Sequence, residues 1–105
     1  MNNANLTDEA YAFLVQLYCE YLNRLKNGMP ASQAVVFSND LLDGIDEVFA
    51  TEPEADDFLH ELSAQNFVTV SIGGTVVLTR SAIRVMESRF GNNVAKILEF
   101  IRTIR

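Results

Sequence analysis

The stretch from Pro53 to Thr79, PEADDFLHELSAQNFVTVSIGGTVVLT, decides the architecture, because its apolar period changes part-way along. Ala55, Phe58, Leu59 and Leu62 recur at steps of three and four, which places them on one stripe of an amphipathic helix. From Phe67 onward the residues become β-branched over 67–72 and again over 75–79. The two-residue Gly73-Gly74 junction between those runs permits the positive φ angles of a tight hairpin turn. The helix start is set by Thr51-Glu52-Pro53-Glu54, a capping box in which the Thr51 hydroxyl and the Glu54 carboxylate satisfy free backbone amides reciprocally. Pro53 is tolerated there because the first turn needs no amide from it. A helix that runs directly into a hairpin is the expected centre of the fold.

The sequence on either side supplies helices. Thr7 is an N-cap candidate, with Asp8 and Glu9 in the first turn, where the helix dipole favours anions. Ala10, Phe13, Leu14, Leu17, Tyr18, Tyr21, Leu22 and Leu25 then keep helical spacing, Arg24 and Lys26 complement the carbonyl end, and Asn27-Gly28 before Pro30 gives the stop. A shorter second helix is expected from Pro30 or Ala31, burying Ala34, Val35 and Phe37 and ending by Ser38 to Asp40. Leu41 to Phe49 fits neither period and reads as a turn of helix plus loop. After the hairpin, Thr79 or Ser81 caps a C-terminal helix over 80–105 that carries Ile83, Met86, Phe90, Val94, Ile97, Ile101 and Ile104. Gly91-Asn92-Asn93 interrupts it, and the apolar positions on either side stay on one face, so a continuous helix and a break at Gly91 are both open.

A chain of 105 residues, 49% apolar and without Trp, suits one compact domain over 1–105 with a single core. No basic start followed by an apolar run marks a secretory signal, and no apolar stretch approaches the roughly 18 residues that span a bilayer, so a cytoplasmic protein with no membrane contact is expected. Cys19 is the one cysteine and reads as a small core residue; a reactive thiol needs a base beside it, and His60 is the one histidine. The net charge of −6 is segregated along the chain: Asp40 to Glu61 holds nine carboxylates and no Lys or Arg, whereas Arg80 to Arg105 holds six basic residues against Glu87 and Glu99.

Helix, helix, helix, hairpin, helix resembles the winged-helix superfamily over roughly Thr7 to Phe90. The junction Val77-Leu-Thr-Arg-Ser-Ala-Ile83 is similar to the last wing strand and following helix of small bacterial winged-helix regulators. In those proteins the strand often ends in Leu-Thr with a Gly three residues later; here Ala82 takes that place. The resemblance implies an α+β, mostly helical winged helix of three helices, a β-hairpin wing and a long C-terminal helix. It makes Pro53 to Asn66 the equivalent of the recognition helix and Gly73-Gly74 the wing tip, and it implies that the helix beyond the wing dimerises.

Charge argues against the family's usual ligand. DNA readers use Arg, Lys, Asn or Gln to reach base edges and phosphates, yet the equivalent helix here carries Glu54, Asp56, Asp57 and Glu61, and Ser71 to Thr75 at the wing tip has no cation. That removes most of the counterion release behind non-specific affinity. The expected function is therefore non-enzymatic and works through protein contacts, with Glu54, Asp56, Asp57 and Glu61 as an acidic surface for a protein partner whose identity the sequence leaves open. The competing reading is a DNA-binding transcriptional regulator that contacts phosphates through Arg80, Arg84, Arg89, Lys96 and Arg102.

Self-association is the stronger interaction signal. A C-terminal helix of about 25 residues would be about 37 Å long at 1.5 Å per residue, more than so small a domain covers. Its surplus apolar face, Phe90, Val94, Ile97, Ile101 and Ile104, is then the expected homodimer seam. If the helix breaks at Gly91 and folds back, the same residues complete the core instead.

No catalytic residue, metal ligand or cofactor is assigned. Asp40, Asp43, Asp46 and Glu47 lack the alternation of a calcium loop because Leu41, Leu42 and Ile45 interrupt it. His60 follows Asp56 and Asp57 by four and three residues, a spacing that a surface hydrogen bond explains without catalysis. Gly73-Gly74 lacks the Lys and helix start of a phosphate loop.

Overall fold

The structure, a computed structural model, describes residues 6–37, 52–71 and 73–104; within the helices, the side chains of 52–56, 101 and 104 lie outside the description. The chain forms α1 (Asp8–Lys26), α2 (Ala31–Ala34), β1 (Val36–Phe37), α3 (Glu52–Ala64), β2 (Val68–Val70), β3 (Val76–Leu78), α4 (Arg80–Phe90) and α5 (Val94–Ile104). It is α+β and mostly helical, with one three-stranded antiparallel sheet in the order β1-β3-β2.

The strongest local signals produce the elements they predict. Thr7 caps α1, its hydroxyl accepting from the Ala10 amide at 3.1 Å, and Asn27 ends it ahead of Gly28 at φ +94°. The end of α3 is a Schellman turn: Phe67 N–H donates to Leu62 O, Asn66 N–H donates to Ser63 O, and Asn66 takes the left-handed φ of 64°. Thr79 then joins three elements. Its amide donates to Phe67 O across the hairpin base, its hydroxyl donates to Asn66 O at 2.7 Å, and the same oxygen caps α4 by accepting from Ala82 N–H.

Three expectations are corrected. The second helix is a single turn, and Phe37 sits on strand β1, where it pairs with Val76. The β-branched Val35 and Val36 disfavour a longer helix, while pairing with β3 gives the Val35 carbonyl a partner in Leu78 N–H. The hairpin does not close directly around Gly73-Gly74: Ser71 N–H donates to Thr75 O, Ser71 Oγ accepts from Thr75 N–H, and Gly74 takes the positive φ of 87°. The C-terminal helix over 80–105 is two helices, α4 and α5, parted at Gly91 (φ +60°, ψ −143°), a backbone region essentially restricted to glycine. The capping box at Thr51 and the segment Leu41 to Phe49 lie outside the described residues.

Helix α1 is the central element, buried on nearly all sides. Phe13 meets Phe58 of α3 with ring centroids 5.8 Å apart, and Tyr11 meets Phe100 of α5 edge-on at 5.7 Å. Two residues are about 200° around a helix. Thus α3 and α5 pack against opposite sides of α1, and Leu14, Leu17, Tyr18 and Val15, all almost fully buried, form the core between them.

Candidate interaction surfaces

The acidic helix α3 turns Phe58, Leu59 and Leu62 inward, leaving Asp57 and His60 exposed. Glu61, read from the sequence as part of the partner surface, is half-buried and engaged within the fold. Its carboxylate accepts from Thr7 N–H at 3.0 Å through Oε1 and from the Thr7 hydroxyl at 3.1 Å through Oε2. Those bonds supply, from another helix, what a capping-box Glu supplies locally. Of the expected acidic surface, Asp57 is the member whose side chain is described as exposed; the side chains of Glu54 and Asp56 lie outside the description.

The basic residues divide in two. Arg80, Arg84, Lys96 and Arg102 are exposed and form no ion pair among the described residues. Arg80 and Arg84 stand one turn apart at the start of α4, directly after β3. Arg89, although exposed, lies over three rings: its guanidinium carbon is 5.6 Å from the Tyr11 centroid, 5.6 Å from Phe90 and 5.5 Å from Phe100. It bridges α1, α4 and α5, so its contribution is to packing. The rings that Arg89 covers place α4 and α5 on the Tyr11 side of α1, whereas α3, with its exposed Asp57, packs on the Phe13 side.

Of the expected seam residues, the three whose side chains are described face the inside of the fold. Ile97 is 0% exposed and Phe90 is buried, while Val94 is half-buried against the same core. The fold-back thus buries Phe90 and Ile97, part of the face that a continuous helix would leave bare. The side chains of Ile101 and Ile104 are not among those described. The large apolar residues that do reach solvent among the described residues are Met29, Val70 at 46% and Leu98 at 46%.

Sequence reasoning placed Arg24 at the carbonyl end of α1 and missed its main role. The side chain is buried and donates from Nη1 to Ala34 O at 3.1 Å and to Val36 O at 2.8 Å, while Nε pairs with Glu20 at 3.2 Å and the guanidinium lies 4.2 Å from the Phe37 centroid. Val35 O faces β3, accepting from Leu78 N–H, so the strand alternation turns Val36 O outward. Arg24 therefore closes the outer edge of β1 as a further strand would. A basic residue two positions past Leu22, the last buried Leu of α1, gave no sign of this, because its partners belong to a strand that the sequence did not reveal.

Burial favours the neutral forms of Tyr11, Tyr18 and Cys19. Burial, reinforced by the charge of Glu87 and by Tyr21, pushes the Tyr18 phenol up to about 12; its hydroxyl donates to Gly91 O at 2.9 Å. Burial raises Tyr11 too, against the opposing charge of Arg89. Cys19 is likewise raised by burial and then by Glu20, which disfavours the nucleophilic thiolate. Among the described residues no group of three or more His, Cys, Asp or Glu side chains is placed to hold a metal ion, and the Asp40 to Glu47 cluster lies outside them. No helix among the described residues is long and apolar enough to cross a membrane. Comparison of this chain with protein-family models, curated proteins and solved structures returns no match.

Proposed function

We propose that this chain is a cytoplasmic winged-helix protein that is not an enzyme and acts through protein contacts, including self-association as a homodimer, in place of reading DNA. The sheet order β1-β3-β2, with α3 leading into the β2–β3 hairpin, supports the winged-helix reading. The observation that carries the functional reading is the chemistry of α3: Glu52 to Ala64 contains five carboxylate residues and no Lys or Arg, and its exposed Asp57 would meet phosphates if the helix entered a groove. A basic protein surface is the complementary partner for that face. The second reading, phosphate contact through Arg80 and Arg84, is favoured by one observation, that both are exposed at the end of the hairpin and form no ion pair among the described residues.

A mobility shift on duplex DNA across a salt series separates the two. The protein-contact reading expects no binding tighter than about 10 µM at physiological salt, at the middle of the non-specific range of roughly 10⁻⁴ to 10⁻⁶ M. Sub-micromolar binding that weakens steeply with salt, and is lost in Arg80→Ala with Arg84→Ala, establishes the DNA reading instead. Light scattering at tens of micromolar tests self-association separately.

A further inference from the structure

We infer that α5 is an exchangeable arm, and that two copies of this chain associate by swapping it, with α4 and α5 straightening into one helix so that each α5 docks on the partner copy's α1. The inference deepens the self-association proposed above by naming the segment that is exchanged and its docking site.

Three observations carry it. First, the face of α5 that a partner would have to cover is already fitted to a surface of this same chain: Ile97 is fully buried, and Phe100 packs edge-on against Tyr11 of α1 at 5.7 Å and against Phe90 at 5.5 Å. The α1 surface bared when α5 leaves is therefore complementary to one occupant, the α5 of a second copy. Second, the connection between α4 and α5 is only residues 91–93, and it depends on Gly91 holding φ +60°, ψ −143°, which other residues adopt only under strain. A connection this short, held by one conformation that suits only glycine, is the kind of hinge at which exchange occurs. Third, the apolar sequence does not require the break. Phe90, Val94, Ile97, Ile101 and Ile104 follow one another at steps of four, three, four and three, so a helix running through the hinge keeps them on a single face.

What opposes opening is also visible. The Tyr18 hydroxyl donates to Gly91 O at 2.9 Å, and Asn93 caps α5, its side-chain oxygen accepting from Lys96 N–H at 3.0 Å. Both bonds belong to the turned form alone. In a straight helix the Gly91 carbonyl would bond to the amide of residue 95 and Asn93 would be a mid-helix residue. Closed and exchanged forms bury the same apolar contacts, so the balance between them rests on the hinge and on concentration.

The test measures the monomer–dimer dissociation constant by light scattering and sedimentation over a concentration series. Gly91→Ala strains the closed turn, where open space around the glycine removes steric clash as an alternative cause, and it favours the straight helix. Tyr18→Phe removes the closed form's hydroxyl bond with the ring retained. The expected result is that Gly91→Ala lowers the dissociation constant by at least about tenfold, that Tyr18→Phe shifts it in the same direction, and that inserting four Gly and Ser residues after Asn92 returns either variant to monomer. Where Gly91→Ala does not fold, Tyr18→Phe and the insertion decide. Variants whose association matches the wild type overturn the exchange. A wild-type dimer indifferent to all three changes leaves self-association standing and refutes α5 as its means; a wild-type monomer driven to dimer by Gly91→Ala has the opposite meaning.

Discussion

Replacing Arg24 with Met isolates the contribution of one buried cation to the edge of the sheet. Met keeps most of the aliphatic stem, so packing along α1 is largely preserved. What disappears is the donor set: two carbonyls, Ala34 O at 3.1 Å and Val36 O at 2.8 Å, lose the Nη1 hydrogens that satisfy them, and the Phe37 ring loses the guanidinium 4.2 Å away. Orphaning a buried acceptor costs about 1–3 kcal/mol. One effect runs the other way, since removing a buried charge also removes its desolvation penalty, and apolar replacement of a whole buried ion pair is often neutral. Here the substitution cannot be compensated in that way, because the acceptors are backbone and remain. The ion pair itself adds little, for the Glu20 side chain is 43% exposed. We expect Arg24→Met to destabilise by about 3 kcal/mol, Arg24→Lys by about half as much because one ammonium cannot serve both carbonyls and Glu20, and Glu20→Gln by less than about 1 kcal/mol. Urea unfolding followed by far-ultraviolet circular dichroism gives the values, and the loss for Met is a large fraction of the roughly 5–15 kcal/mol typical of a domain. If Arg24→Met unfolds within about 0.5 kcal/mol of wild type, water reaches both carbonyls and the guanidinium does not close the strand edge. If Glu20→Gln costs as much as Arg24→Met, the ion pair and not the carbonyls carries the energy.

Stability should fall as pH rises from 10 to 12. The folded state holds the Tyr18 proton up to about 12 while the unfolded chain releases it near 10, so the phenol's contribution is complete below pH 10 and is lost through that interval. The loss is on the order of 2 kcal/mol, and Tyr18→Phe should flatten the melting-temperature profile over that range; an unchanged slope would falsify the assignment to Tyr18. Thr7→Ala should cost about 1 kcal/mol through loss of the α1 cap, and a double-mutant cycle with Glu61→Gln should give a coupling of about 0.5–1 kcal/mol. Strict additivity in that cycle would mean that the carboxylate does not hold Thr7 in solution.

Where an element is specified by its own residues, the sequence reveals it. The caps at Thr7 and Thr79, the three-and-four spacing along α1 and α3, and the β-branched runs around Gly73-Gly74 are all local, and each element forms where those signals place it. Strand β1 is different: two residues, Val36 and Phe37, acquire strand geometry from Val76 and Val77, some forty positions on, and no local period marks so short a strand. The charged surfaces divide along the same line. Segregation of acid and base is a property of composition and was legible, but whether a given charge is available to a partner depends on distant neighbours. Thr7 claims Glu61, three aromatic rings claim Arg89, and the carbonyls of the α2–β1 connection claim Arg24. The hinge is a third kind of case. The apolar face from Phe90 to Ile104 satisfies a straight helix and a folded-back pair equally, so the pattern specifies what α5 must bury and leaves open against which copy of α1. Gly91, Tyr18 and Asn93 resolve that degeneracy toward the closed form within one chain, and they do so with a turn only glycine adopts without strain and two hydrogen bonds. Such terms are small beside the burial of Ile97 and Phe100, which both arrangements share. If two copies exchange α5 as inferred above, concentration and a single hinge substitution decide whether that stripe is core or interface.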